Sequence, residues 1–234
     1  MAKNSKEEYF ALFDKKKSLF HEEFQDLAEI EYFKSPHQNF RYRAEFGLIK
    51  SNNKKMFAMN IDGKKTAINA FPIASQQIQE LMSSLIKYIN NNSEISEQLF
   101  QVEFQSSRKN EAMVGLIYHK ELDSKWEKEA ELIGRELNIS IIGRSKNQKV
   151  MIGKNYVTET YKYLNNYFDL RLFEQCFSQT NPFICDDILD WVSRSSSGAS
   201  GDIMELHCGV GTFTIPLSHL YNKILATENS RPSI

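Results

Sequence analysis

The chain has 234 residues, 41% hydrophobic and 25% charged, with a formal net charge of −1, a balance that fits one large or two small globular domains and excludes a fibrous or disordered chain. No run of about 18 apolar residues occurs, and the opening Met1-Ala-Lys-Asn-Ser-Lys-Glu-Glu8 has no apolar stretch, so neither a membrane span nor a secretory leader is predicted and a cytoplasmic location is expected. Three widely spaced cysteines, Cys176, Cys185 and Cys208, form no C-x-x-C pair, so reduced thiols are expected rather than a metal or iron–sulfur site.

Taken along the chain, residues 6–28 read as an amphipathic helix. Ser5 and Glu8 have capping-box spacing, and Tyr9, Leu12, Phe13, Phe20, Phe24 and Leu27 fall mostly at helical intervals, as packing residues would. Residues 39–49 alternate, with Phe40, Tyr42, Ala44, Phe46 and Leu48 on one face and Arg41, Arg43 and Glu45 on the other, the pattern of a half-buried strand. Residues 56–61 follow as its partner, and Asp62-Gly63 turns the chain into a strand at 66–70. Between Lys34 and Lys65, eight basic residues face only Glu45 and Asp62, a local excess of six positive charges. Such a surface suits a polyanionic partner, or equally a solvated edge kept charged against aggregation.

Pro72 opens a helix to about Asn90 with Ile78, Leu81, Met82, Leu85, Ile86 and Ile89 on its apolar stripe. Strands follow at 99–105 and 112–119, then a charged helix over 123–137, a hairpin of 139–144 with 149–152, and strands at 156–163 and 170–177. This predicts an α+β region of mostly antiparallel sheet up to residue 178. Asn181-Pro182 then starts a helix through Trp191, and Ser193-Arg-Ser-Ser-Ser-Gly-Ala-Ser-Gly201 reads as a flexible connector. The predicted boundary lies near Gln179, giving regions 1–178 and 179–234.

The second region carries the sharpest pattern. An apolar strand, Asp202-Ile-Met-Glu-Leu206, runs into His-Cys-Gly209-Val-Gly211-Thr-Phe213, and a second strand ends on Glu228, 19 positions after Gly209. This is the opening of a Rossmann-like α/β unit, of which two strands are only the start, because parallel sheets are covered on both faces. The third glycine of the dinucleotide fingerprint is missing, which disfavours pyrophosphate capture. A ligand without phosphates, such as S-adenosyl-L-methionine, suits the two-glycine turn, with Glu228 accepting from its ribose hydroxyls; an ordinary tight turn is the other reading.

Phe33-Lys-Ser-Pro-His-Gln-Asn-Phe-Arg-Tyr-Arg-Ala-Glu-Phe46, Ala70-Phe-Pro72, Leu99-Phe-Gln101, Leu116-Ile-Tyr-His-Lys120, Ile142-Gly-Arg144, Phe177-Ser-Gln-Thr-Asn-Pro182, Glu205-Leu-His-Cys-Gly-Val-Gly-Thr-Phe213 and Ala226-Thr-Glu228 together resemble the bacterial tRNA (uracil-5-)-methyltransferase family over essentially the whole chain. The resemblance implies S-adenosyl-L-methionine-dependent methylation of carbon 5 of the T-loop uridine of tRNA and of the equivalent loop of tmRNA, with no metal or iron–sulfur cluster. It further implies cofactor contacts at Gln179, His207, Thr212 and Glu228, with His207 standing where the family carries tyrosine and Thr212 where it carries asparagine. Phe100 is implied to stack in the opened RNA loop, as required of an enzyme acting on an unstacked base, and its alternating strand equally fits a core role. Arg41 and Arg43 are the candidate backbone contacts.

In this family a thiolate adds to carbon 6 of uracil and a base later removes the carbon 5 proton. Cys176 and Cys185 match no such position, and Cys208 falls in the cofactor loop. The nucleophile and base are therefore expected beyond Ile234, and the chain alone is expected to be inactive, its first methyltransferase strands partly exposed and poorly ordered. The alternative is a tRNA-binding or RNA-folding module that does not transfer methyl groups.

Overall fold

The computed structural model of the chain describes residues 6–27 and 29–233. Its centre is a seven-stranded sheet in the order β3-β2-β1-β4-β5-β6-β7, built from β1 (Arg43–Ser51), β2 (Lys54–Ile61), β3 (Lys64–Ala67), β4 (Leu99–Ser106), β5 (Ala112–Tyr118), β6 (Ser140–Ser145) and β7 (Gln148–Ile152). Every pairing is antiparallel except β5 with β6. That parallel pair needs a crossover, supplied by helix α4 (Ser124–Leu137).

One face of the sheet is covered by α2 (Gln76–Asn91), the short α3 (Ser93–Ser96) and α4. In β1 the alternation sends Ala44, Phe46 and Leu48 into this core, against Phe57, Val102, Phe104, Val114 and Leu116 from neighbouring strands and the Ile78, Leu81, Met82, Leu85 and Ile89 stripe of α2. Ser75 caps α2 by accepting from Ile78 N, and Asp123 caps α4 by accepting from Lys125 N and Trp126 N. Asn138, in the left-handed conformation, ends α4.

Part of the other face is covered by a hairpin of β8 (Tyr156–Tyr163) with β9 (Asn166–Phe173) and by α5 (Pro182–Ser195). Met113 and Ile142 of the sheet, Val157, Tyr161, Leu170 and Leu172 of the hairpin and Cys185 and Leu189 of α5 form this second core. The chain then makes β10 (Asp202–Leu206), the four-residue α6 (Thr214–Leu217) and β11 (Lys223–Thr227), with β10 and β11 parallel. Val210, Phe213 and Ile215 pack on the second core, whereas Met204, Leu206 and Leu225 lie on exposed positions of the strand pair.

Several boundaries depart from the sequence expectation. Helix α1 (Lys6–Phe24) buries none of its residues. Its Phe10 and Phe13 rings lie under the Lys34 ammonium, Leu12, Phe20 and Leu27 are exposed and Tyr9, Phe13 and Phe24 are only half-buried, so the expected packing stripe is not buried in a core; Ser5 lies outside the described residues. Strand β1 begins at Arg43 because Arg41 instead forms a bridge to Ala74, and Tyr42 N donates to Thr180 O. Pro72 does not open α2: its carbonyl accepts from Asn39 N, and the helix waits for the Ser75 cap. β3 closes earlier than expected, at Ala67, and β9 begins earlier, at Asn166, after the left-handed Leu164 has turned the hairpin. α5 runs on to Ser195, taking up the start of the Ser/Gly connector.

Candidate functional site

At the end of β10 the backbone reverses through three residues with positive φ, His207 (+58°), Gly209 (+57°) and Gly211 (+86°). A Cβ on Gly209 would meet nothing within 4 Å and one on Gly211 only ordinary contacts, so the glycines answer the dihedral demand and leave open space above the turn. Cys208 N donates to Thr227 O (3.0 Å), pinning the turn to the end of β11. Gly209 N donates to Glu228 Oε2 (2.8 Å), while Asn229 N and Ser230 N donate to Oε1 (2.8 and 2.7 Å). The N–H groups of Ser230 and Gly209, with His207 nearby, hold this carboxyl below the usual range. Glu205 on β10 accepts from Thr214 Oγ1 (2.5 Å), which ties the strand to the helix after the turn.

Glycine turn, Glu228 and His207 are thus gathered at the carboxyl ends of two parallel strands, where open α/β sheets bind ligands. Thr212 is in the same loop but turned inward, at 8% exposure. Gln179 is half-buried in the segment before α5, beside Tyr42, Arg43 and Pro182. Among the described residues no hydrogen bond joins it to the glycine turn.

Arg43 does not behave as a surface contact. Its guanidinium donates to Cys176 O (2.5 Å), and with Tyr42 N to Thr180 O (2.8 Å) and Asn181 Nδ2 to Ser35 Oγ (2.8 Å) it fixes the stretch that carries Gln179. Other basic residues of the 34–65 stretch are also engaged: the Lys55 ammonium donates to Ser96 O and Leu99 O, and Lys65 Nζ to Leu48 O (3.1 Å). Burial, with Lys50 directly across the strand pair, pulls Lys55 below the usual lysine range. Lys50, Lys54 and Lys64 are exposed and enter no ion pair among the described residues.

Phe100 lies on a register shift of β4 between Leu99 and Gln101. The irregularity lifts its ring out of the strict alternation, leaving it half-exposed and stacked on His119 at 4.0 Å between centroids and 10° between planes. His119 was not a sequence candidate. Its signal was its place just after β5 in Leu116-Ile-Tyr-His-Lys120, but only the pairing of β5 with β4 brings it onto Phe100. A flat two-ring plate of this kind can stack an unpaired nucleobase.

The cysteines divide by environment. Cys176 and Cys185 are buried, and burial pushes the Cys185 thiol up to about 12, which makes it a poor nucleophile. Cys208, half-buried in the glycine turn, has Gly209 O 3.8 Å from its sulfur. Among the described residues no group of three or more His, Cys, Asp or Glu side chains is placed to hold a metal ion.

The sequence model described as tRNA (Uracil-5-)-methyltransferase matches residues 8–234. A tRNA/tmRNA (uracil-C(5))-methyltransferase of Acinetobacter baumannii (strain ACICU) is 40% identical over 211 residues, covering 88% of this chain and 58% of the relative. One from Neisseria meningitidis serogroup B (strain ATCC BAA-335 / MC58) is 37% identical over 215 residues, covering 89% and 59%. The fold matches the crystal structure of Pyrococcus abyssi tRNA (uracil-54, C5)-methyltransferase in complex with S-adenosyl-L-homocysteine at a TM-score of 0.70 and 17% identity, over 95% of this chain and 58% of that one. The chain therefore spans somewhat over half the length of the relatives it matches. With the glycine turn, the Glu228 carboxylate and the whole-length match together, the chain belongs to the tRNA (uracil-5-)-methyltransferase family.

Proposed function

We propose that this chain serves S-adenosyl-L-methionine-dependent methylation of carbon 5 of the T-loop uridine in tRNA, and of the equivalent uridine in tmRNA, in the cytoplasm and without a metal or iron–sulfur cluster. Residues 1–178 handle the RNA and residues 179–234 begin the methyltransferase domain. The observation that carries this reading is the closure of the Gly209 turn on Glu228 (2.8 Å) at the ends of the parallel strands. The open space above Gly209 admits a ligand close to the backbone. Three backbone donors already bind Glu228, two on Oε1 and one on Oε2, and the remaining lone pair on Oε2 is left to accept from a ribose hydroxyl. The bound cofactor supplies an electrophilic methyl group.

Around it, His207 offers a ring nitrogen at the rim, Thr212 supports the loop from inside, and Gln179 contributes an amide from the segment that Arg43 and Tyr42 hold. Phe100 and His119 receive a base of the opened loop, with Arg41 as the cationic contact, whereas Arg43 acts by holding the Gln179 segment. None of the three cysteines serves as the nucleophile: two are buried and the third belongs to the cofactor turn.

The experiment is transfer of labelled methyl from S-adenosyl-L-methionine to an unmodified tRNA transcript by the purified chain, with S-adenosyl-L-homocysteine binding measured by calorimetry and tRNA binding in parallel. Binding of both ligands without transfer supports the reading; transfer that is abolished by Cys208→Ala contradicts the assignment of the cysteines, and failure to bind S-adenosyl-L-homocysteine contradicts the cofactor site. RNA binding without cofactor binding favours a non-catalytic RNA-binding module, for which the Phe100 and His119 plate is the supporting observation.

A further inference from the structure

The hairpin and α5 leave part of the sheet's second face open, and a pocket of about 540 Å³ opens beside it, lined by Arg41, Glu45, Gly47, Asn60, Phe71 and Gln101 among others. That volume lies within the range of small-molecule sites, about 300–1,000 Å³. Its residues come from the segment before β1, from β1, β2 and β4 and from the loop before α2, so no single segment of sequence shows it.

One cation, Arg41, lines it, and a second, Lys65, lies beside the lining residue Gly47. The backbone of Arg41 is fixed, with N donating to Ile73 O (2.8 Å) and O accepting from Ser75 N (2.8 Å), but among the described residues its guanidinium has no ion-pair partner. Lys65 lies across Gly47: a Cβ there would come within 2.8 Å of Lys65 Cε and 3.0 Å of Nζ. Gly47 does not have a positive φ, so what glycine provides at this position is room for the Lys65 stem. Its ammonium takes up one carbonyl, Leu48 O, and keeps two further donors.

The interior is mixed rather than cationic. Gln101 donates to Glu103 Oε1 (3.0 Å) and retains its amide oxygen, Asn60 brings an exposed amide, and Glu45 adds an acceptor. Phe71, packed edge-on against Phe46 at 5.3 Å, forms an apolar wall. A bare anion would gain nothing from Glu45, and an apolar ligand nothing from the cations. A nucleotide uses all of them, with its phosphate toward Arg41 and Lys65, its base edge toward Asn60, Gln101 and Glu45, and its ring beside Phe71. Gln101 directly follows the stacked Phe100, so one unpaired strand can reach both.

We propose that this pocket seats one unpaired nucleotide of the RNA, distinct from the uridine that is methylated and from the base stacked on Phe100. The inference rests on the reading that the chain binds RNA. It is tested by fluorescence anisotropy with an unmodified T-arm hairpin transcript and a set of the same hairpin carrying an abasic site at each loop position in turn, using the full chain and the variants Arg41→Ala, Lys65→Ala, Asn60→Ala and Gln101→Ala.

Arg41→Ala and Lys65→Ala are expected to weaken binding and each to flatten the dependence of log affinity on log salt by about 0.7 per lost phosphate contact. Gln101→Ala and Asn60→Ala are expected to weaken binding of the intact hairpin about tenfold and to have no effect on the hairpin abasic at one particular position. Unchanged affinity and salt slope in both cation variants, or an equal Gln101→Ala loss on every abasic hairpin, overturns the pocket while leaving RNA binding intact. Absence of binding by the unsubstituted chain overturns RNA binding and the pocket together. Urea midpoints confirm folding, and the exposed Asn60 is the variant least able to disturb it.

Discussion

Replacing Arg108 with alanine tests what holds α5, and with it the approach to Gln179, against the sheet. Arg108 sits in the β4–β5 turn. Its Nε donates to Glu159 Oε1 (2.7 Å), Nη1 to Asp186 Oδ2 (2.6 Å) and Nη2 to Asp186 Oδ1 (3.2 Å) and to Thr160 O. The Tyr161 and Phe183 rings lie 5.7 and 5.8 Å from the guanidinium carbon. One side chain therefore joins the sheet, β8 and α5. The Glu159 side chain is only 2% exposed, so truncating Arg108 strands a buried carboxylate that keeps only the Arg108 and Thr160 backbone donors. Breaking a buried pair in this way costs about 3–5 kcal/mol, which for a chain of this size lowers the thermal midpoint by about 6–20 °C.

The cost carries a pH signature. Burial already pushes the Glu159 carboxyl above its ordinary value, against the pull of Arg108, and without the guanidinium it rises further. A carboxyl raised in the folded state destabilises when ionised, so the deficit is full above the raised value and shrinks as pH falls toward the ordinary carboxyl value of about 4.3. Circular dichroism melts of both proteins at a series of pH values read this directly, and Glu159→Gln added to Arg108→Ala should recover part of the loss at neutral pH. A cost below about 1 kcal/mol, the scale of a surface pair, or one that does not change with pH, would refute the argument.

Gly143→Ala is expected to destabilise the α4 side of the sheet by about 1–3 kcal/mol through overpacking, because a Cβ there would lie 2.3 Å from Trp126 Cη2 and 2.7 Å from Leu122 Cδ1; an unchanged urea midpoint would show that the indole yields freely. Because backbone donors hold Glu228 low, S-adenosyl-L-homocysteine affinity should stay flat from about pH 8 down to about pH 5 with respect to this group, and Glu228→Gln should weaken it by calorimetry without unfolding the chain; a carboxyl-like titration near neutral pH would contradict the assignment. Phe100→Ala and His119→Ala should each weaken T-arm hairpin binding by the worth of a stacked base, about 1–3 kcal/mol, while urea midpoints barely move, and affinity unchanged from the unsubstituted chain in both variants would remove the plate from the RNA site. Arg43→Ala should speed hydrogen exchange of amides around Cys176–Thr180, weaken S-adenosyl-L-homocysteine binding and leave the salt slope of RNA binding unchanged; a flattened slope would return Arg43 to the RNA surface.

Much of the sheet was legible because its signal is local. The alternation from Ala44 to Leu48 and the Ile78 to Ile89 stripe each follow from one face meeting one core. What the sequence hid depended on partners. Nothing within Leu99-Phe-Gln101 announces that Leu99 pairs with Tyr118 while Gln101 pairs with Ile117, yet that extra residue is what aims Phe100 at His119. The parallel placement of β6 beside β5 likewise depends on α4 carrying the chain back across the sheet, and a predicted hairpin at 139–152 is silent about its neighbour. The α1 stripe failed for a different reason: its apolar residues are spread around the helix among lysines and glutamates instead of gathering on one face, and among the described residues none of them is buried.

Arg41 and Arg43 show the same limit at the site. Two residues apart in an alternating stretch, they read as sharing one face, and both were assigned to the RNA. The strand begins only at Arg43, because the Ala74 bridge and the Thr180 carbonyl hold the preceding residues to other parts of the chain. Arg43 is carried to Cys176 O and Arg41 to the pocket beside Gln101. Equivalent in the sequence, the pair is divided by the fold between the two halves of the proposed reaction, with one arginine positioning the segment that carries Gln179 and the other left free to meet a phosphate. Charge pattern marks the stretch; the competition among carbonyls for its cations decides which of them remains available to a ligand.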